Sequence, residues 1–385
     1  MSQKSDITDL TLCRAAFAAW VFIYHVDLHL HFARMLGMFS AVITHGYMGV
    51  DGFFILSGLI LLHTHREFDA VPKDHLRMTF HWSGQGVVLR FYAKRLARIY
   101  PVHLATILIL LALAGGGAAM GLPTHSPQRF GLITLMENLL LVQGWGADHF
   151  GAWNYPAWSI SSEWAGYLLF PFFALTLTYF IREVSLQLAI AVVPVLGVIY
   201  LTSGQTLNLA FGAGLIRFFP EFLAGMAAAR MAVAVADYAL ARSLFLWGGT
   251  ILSLAGAAAG VDLITVIGLW SLIFAFYLQA DADLPPMLGH RPVLRFLGLL
   301  SYCFYMSFAI AELLTVRGFA YFGWQPADQK LLFAMVMTLL TFILAILLRG
   351  FVEQPCRRAA NRWLQPAQEA APPPVPVTEK PQSLF

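Results

Sequence analysis

About ten runs of mostly apolar residues, each about 17–25 residues long, leave this chain no way to fold in water. They fall at 10–30, 47–64, 99–119, 164–181, 186–202, 212–230, 243–260, 262–279, 293–314 and 329–351. Lipid offers the backbone no hydrogen-bond partner, so each run must satisfy its own polar groups as a helix. Of the 385 residues, 59% are hydrophobic and 12% charged, and a soluble domain carries about twice that charge. The sequence therefore predicts an all-α, polytopic transmembrane bundle of about ten spans. One more apolar run, 130–142, is too short to cross and predicts a re-entrant or interfacial segment.

Positive charge orients the bundle. With both termini cytoplasmic, most of the 24 Lys and Arg fall inside. Arg34, Arg129, Arg317 and Lys330 fall outside, and Arg217 lies within the membrane. A full crossing at 130–142 would invert every later loop and put Arg357 and Arg358 outside. The short polar N-terminus has no small-residue cleavage site, so the first helix is expected to be retained. Residues 1–362 read as one membrane domain. Residues 363–385, rich in Pro, Ala and Glu, read as a disordered cytoplasmic tail. Cys13, Cys303 and Cys356 show no paired spacing, so neither a disulfide framework nor a metal site is indicated.

The first helix carries Arg14 and His25, eleven residues apart. At about 100° and about 1.5 Å per residue, both leave one helix face, roughly 16 Å apart along the axis. Ionisable groups within a span usually face a protein interior or a watery cavity. The plainer alternative is a snorkelling arginine and a packed histidine. Arg90, Lys94, Arg95 and Arg98 close the long cytoplasmic loop 65–98. They suit either a topological anchor or a clamp for a phosphate-bearing ligand.

Asp51 opens the second span near the predicted depth of His25. There it can orient the histidine, or simply end a helix. Residues 143–164 hold Trp145, Trp153, Tyr155, Trp158 and Trp164. These form an interfacial belt or a surface for sugar rings. Glu163, at the predicted start of the next helix, suits the helix dipole or a site. Arg217 and Glu221, four apart, are expected to pair on one helix face. The chain shows no internal repeat, Gly-rich phosphate loop, metal motif or Gly-x-Ser-x-Gly elbow.

Taken together, these segments resemble the acyltransferase family 3 of integral membrane proteins, over about residues 8 to 360. Its first-helix Arg, ten residues, His pattern stands as Arg14 to His25. Its Gly-Val-Asp-x-Phe-Phe-x-x-Ser-Gly signature stands at Gly49 to Gly58. Its basic motif resembles Lys94-Arg95-Leu96-Ala97-Arg98. Its Trp-Ser-x-Ser-x-Glu-x-x-Tyr motif resembles Trp158-Ser159-Ile160-Ser161-Ser162-Glu163-Trp164-Ala165-Gly166-Tyr167. Ser301-Tyr302-Cys303-Phe304-Tyr305 and Glu353-Gln354-Pro355 resemble its late elements. Phe308 stands where many members carry a histidine, and the chain shows no counterpart of the hydrolase-like domain appended in some members.

The resemblance implies transfer of an acyl group, usually acetyl, from cytoplasmic acyl-coenzyme A to a hydroxyl. The acceptor is a glycan, a lipid-linked sugar or a small molecule, with membrane lipid around it and no nucleic acid or metal. The implied location is the cytoplasmic membrane of a bacterium. Arg14, Lys94, Arg95 and Arg98 are the expected donor contacts. His25 is the expected base, with Glu163 or Asp51 orienting it or binding acceptor hydroxyls. Trp158, Ser159 and Ser161 are the expected acceptor contacts. Direct transfer and an acyl-enzyme are both open. A transporter or flippase of glycans or lipids would use the same polar cavity without acyl chemistry.

Overall fold

A computed structural model describes residues 8–65, 68, 87–121, 127–147, 151–180, 185–235, 238–282, 284–286 and 291–364. Most of the predicted tail, and the central part of the loop 65–98, lie outside the described residues. The long helices are α1 (Thr8–Leu30), α2 (Gly49–Thr64), α3 (Val87–Ala119), α4 (Leu132–Leu139), α5 (Trp158–Phe180), α6 (Ser185–Thr202), α7 (Gly214–Met231), α8 (Tyr238–Ala259), α9 (Asp262–Asp281), α10 (Pro292–Tyr321), α11 (Lys330–Leu348) and α12 (Gln354–Trp363). No strand occurs among the described residues. Nine described helices are long and apolar enough to cross a membrane, and the expected span at 186–202 falls in a shorter apolar helix.

Three boundaries differ from the sequence expectation in ways that matter. The basic segment 90–98 is no loop end, because α3 begins at Val87 and runs through Pro101. Proline normally breaks a helix interior, but neighbours within a membrane bundle make good the lost backbone bond. The cations therefore sit at fixed angles on a helix. Likewise α5 begins at Trp158, so Glu163 lies in its second turn, on a helical face. The run 130–142 condenses into α4, eight residues or roughly 12 Å long, far short of a membrane. Leu132, Ile133, Met136 and Leu140 face outward from it. On the inner side the buried Asn138 carbonyl accepts a 2.8 Å bond from His103 Nε2.

α1 packs on four other helices, α2, α9, α10 and α11. Its neighbours are drawn close by small residues, as membrane helices require. α2 and α7 cross where Gly58 meets the Phe222 carbonyl and Gly225 meets the Ile55 carbonyl. A Cβ at either position would lie within 2.0 Å of the opposing oxygen. That contact sets the polar upper ends of α2 and α7 side by side.

Candidate active site

The predicted face of α1 opens on two cavities. Arg14 lines one of about 80 Å³. His25, about three turns along, lines another of about 340 Å³. Val50 and Tyr305 line both, so the cavities share a wall.

The Arg14 cavity gathers cations from two helices. Arg95 and Arg98 of α3 line it with Arg14, and Glu163 of α5 is the carboxylate among them. Arg95 is held: it bonds His65 Nε2 at 2.5 Å and lies over the rings of Phe91 and Tyr167, at 5.6 and 5.7 Å. Glu163 is held too, accepting from Ser57 Oγ at 2.8 Å and from the Tyr167 hydroxyl at 2.5 Å. Arg14 and Arg98 hydrogen-bond no protein group among the described residues. Three guanidiniums against one carboxylate leave the cavity with an excess of positive charge and free donors, the requirement for a phosphate or carboxylate ligand. Lys94 is exposed on the outer side of α3 and lines neither cavity.

The His25 cavity is organised by a hydrogen-bonded chain the sequence reading did not assemble. Tyr155, in the turn before α5, donates its hydroxyl proton to Glu312 Oε2 of α10 at 2.5 Å. Its oxygen lies 3.1 Å from His25 Nδ1. With the tyrosine proton committed to the carboxylate, Nδ1 is the nitrogen that donates, which leaves Nε2 with its lone pair. The other Glu312 oxygen meets His29 Nε2 at 2.7 Å. His29 is one turn beyond His25 on the same helix face. A sequence signal for Glu312 existed, since a carboxylate inside an apolar run marks a site by default.

Neither carboxylate proposed for the histidine touches it. Glu163 belongs to the Arg14 cavity. Asp51 is fully buried and accepts from Arg217 Nε at 2.8 Å, with a second, closer contact between Arg217 Nη2 and Asp51 Oδ2. This corrects the expected Arg217–Glu221 pair. The guanidinium fork matches a carboxylate facing it from another helix, two bonds at once, and the glycine crossing of α2 and α7 brings Asp51 into that position. Both Glu221 oxygens are buried with no hydrogen-bond partner among the described residues. Arg217 still edges the His25 cavity, 5.9 and 5.8 Å from the rings of Tyr47 and Trp158.

The three expected acceptor contacts part company. Trp158 lines the His25 cavity. Ser159 lines the Arg14 cavity and donates to the Tyr305 hydroxyl at 3.0 Å. Ser161 lines neither; it donates to the Leu141 carbonyl at 2.7 Å and accepts from Gly144 N at 3.0 Å, pinning the 141–147 turn to α5. Phe308 packs its ring 4.8 Å from that of His25. Arg129, Tyr24 and Asn208 complete the polar lining.

Fold and cavities define an integral, multi-pass helical membrane protein with a cationic pocket and a histidine pocket on one helix. Residues 7–350 match the family model of the acyltransferase domain, so the chain belongs to that family, the one the sequence motifs resemble. It is also 32% identical over 169 residues to acyltransferase MdmB of Streptomyces mycarofaciens, a match covering 43% of this chain and 38% of the relative. The matched stretch thus spans well under half of that protein. No solved structure matches the chain.

Proposed function

We propose that this protein is a membrane O-acyltransferase. It moves a short acyl group, acetyl first among candidates, from acyl-coenzyme A to a hydroxyl of a glycan or glycolipid. The observation that carries this reading is the placement of Arg14 and His25 on one face of α1, each in its own cavity, with a shared wall. The Arg14 cavity lies at the cytoplasmic end and takes the donor, its guanidiniums meeting the donor's anionic groups. The acceptor lies in the roomier His25 cavity, at the outer end.

The chemistry follows from the hydrogen-bond chain. His25 Nε2 takes the proton of the acceptor hydroxyl as its oxygen attacks the thioester carbonyl. The new C–O bond forms, the C–S bond breaks, and the coenzyme thiolate leaves with the proton that His25 returns. The imidazolium formed on the way is steadied by Glu312 through Tyr155. No acyl-enzyme is needed, because the wall shared by the cavities lets donor and acceptor approach each other.

Purified protein with acetyl-coenzyme A and a panel of glycans tests this directly. Free thiol should appear only when both donor and acceptor are present, with acyl groups on the glycan by mass spectrometry. Movement of unmodified glycan into vesicles, with no thiol release, would make the protein a carrier instead.

A further inference from the structure

The acyl carbon has to pass from the Arg14 cavity to the reach of His25, and two side chains stand at that passage. Val50 and Tyr305 line both cavities and are 5% and 6% exposed. Tyr305 is fixed at both ends. Its hydroxyl accepts from Ser159 Oγ at 3.0 Å and donates to the Pro156 carbonyl at 3.1 Å. Its ring sits 6.0 Å from that of Phe53, on the Arg14 side, and 5.6 Å from that of Phe308, on the His25 side.

Val50 is equally confined. Its β-branched side chain has little rotamer freedom in a helix. Its neighbours Gly49 and Gly52 press the backbone of α2 onto Phe17. A Cβ on Gly49 would lie 2.6 Å from the Phe17 carbonyl oxygen, and one on Gly52 2.5 Å from the Phe17 ring. The helix carrying Val50 therefore has no room to retreat toward α1. Both residues therefore stand in the wall the two cavities share.

Size points the same way. The Arg14 cavity holds about 80 Å³ against about 340 Å³ on the other side. A single water needs about 10–15 Å³ of such space. The tight side is the one the acyl group occupies before transfer.

We infer that Val50 and Tyr305 form an aperture that selects the acyl group by length, admitting acetyl and excluding chains of four carbons and more. This inference rests on the acyltransferase reading above and adds to it the residues that set the length of the acyl group. The aperture acts on the acyl group alone. It leaves the cations that hold the rest of the donor untouched.

The test is a ratio. Full-length protein, taken as the monodisperse fraction in detergent, is assayed with acetyl-, propionyl- and butyryl-coenzyme A at a fixed acceptor concentration. Wild type should fall in rate with each added methylene. Val50→Ala and Tyr305→Leu should raise the butyryl-to-acetyl ratio of kcat/KM by about 10-fold or more, the discrimination one methylene commonly meets in an apolar pocket. Val266→Ala, which deletes the same two methyls from α9 away from both cavities, should leave the ratio at the wild-type value. A general loosening of the bundle would lower all rates together and leave the ratios alone. If active Val50→Ala and Tyr305→Leu proteins both keep the wild-type ratio, the aperture is wrong while the acyltransferase reading stands. If wild type transfers no acyl group from any of the three donors to any acceptor, the acyltransferase reading itself fails.

Discussion

The two ends of the α1 face solve opposite problems. At the Arg14 end, charge is left over: two guanidiniums have no hydrogen-bond partner among the described residues, and the space is tight. At the His25 end, charge is closed into a chain from His25 through Tyr155 and Glu312 to His29, and the space is wide. Unsatisfied donors are costly in a membrane bundle unless a ligand completes them. A fully satisfied chain costs little and fixes one tautomer. One end is built to hold something, and the other is built to keep a base ready.

The sharpest way to break that contrast is at the histidine. His25→Gln keeps size and hydrogen bonding but cannot take a proton. A general base contributes about 10²–10⁴-fold, so kcat should fall by that factor while donor affinity, read by titration calorimetry, stays put. In the wild type, transfer should fall as pH is lowered, because an imidazole already protonated at Nε2 cannot accept the hydroxyl proton. The sign is fixed by the role: a base is lost on the acid side. Transfer at the wild-type rate by a folded His25→Gln protein would leave the hydrogen-bonded chain without a catalytic purpose.

The cationic end should respond in the reverse sense. Arg98→Gln removes a guanidinium that hydrogen-bonds no protein group among the described residues. A hydrogen bond to a charged group is worth about 1.5–3 kcal/mol, so donor affinity should drop by roughly 10- to 100-fold, with kcat at saturating donor little changed. Arg95 is a poorer probe, since its ties to His65, Phe91 and Tyr167 also build the wall. Unaltered donor affinity in Arg98→Gln would demote the basic stretch to an anchor for topology.

Much of this was legible before the structure. Apolar run lengths gave the bundle, and helical periodicity put Arg14 and His25 on one face, because both depend only on local geometry. What escaped depends on contacts between distant segments. Glu312 reaches His25 through a tyrosine 157 positions earlier in the chain, and no spacing rule encodes that. Asp51 shared a depth with His25 but was claimed by Arg217, whose fork fits a carboxylate across the α2–α7 crossing better than Glu221 on its own helix. Depth along a membrane can be read from a sequence; azimuth between helices cannot. The serines show the same limit. Ser159 and Ser161 are two apart, so their side chains leave α5 in directions about 200° apart. One meets Tyr305 and the cavity, and the other meets the 141–147 turn.

The smallest expected effect belongs to Trp158, and it separates the wide cavity from a plain aromatic belt. The ring is 7% exposed and packs edge-on against Phe54 at 5.8 Å, with the Arg217 guanidinium over it. It is therefore part of the wall, and an interfacial anchor would instead face lipid. An aromatic contact contributes about 0.5–1.5 kcal/mol beyond the area it buries, so Trp158→Ala should raise the acceptor KM by about 2- to 10-fold. The donor KM should not move, because Trp158 does not line the Arg14 cavity. Trp158→Phe, which keeps a ring against Phe54, should recover most of the loss. Two other results would count against this assignment: lower yield with both KM values unchanged, or equal rises in both. The first would make Trp158 a packing residue alone. The second would mean the two cavities work as one, and the division between the ends of α1 would have to be withdrawn.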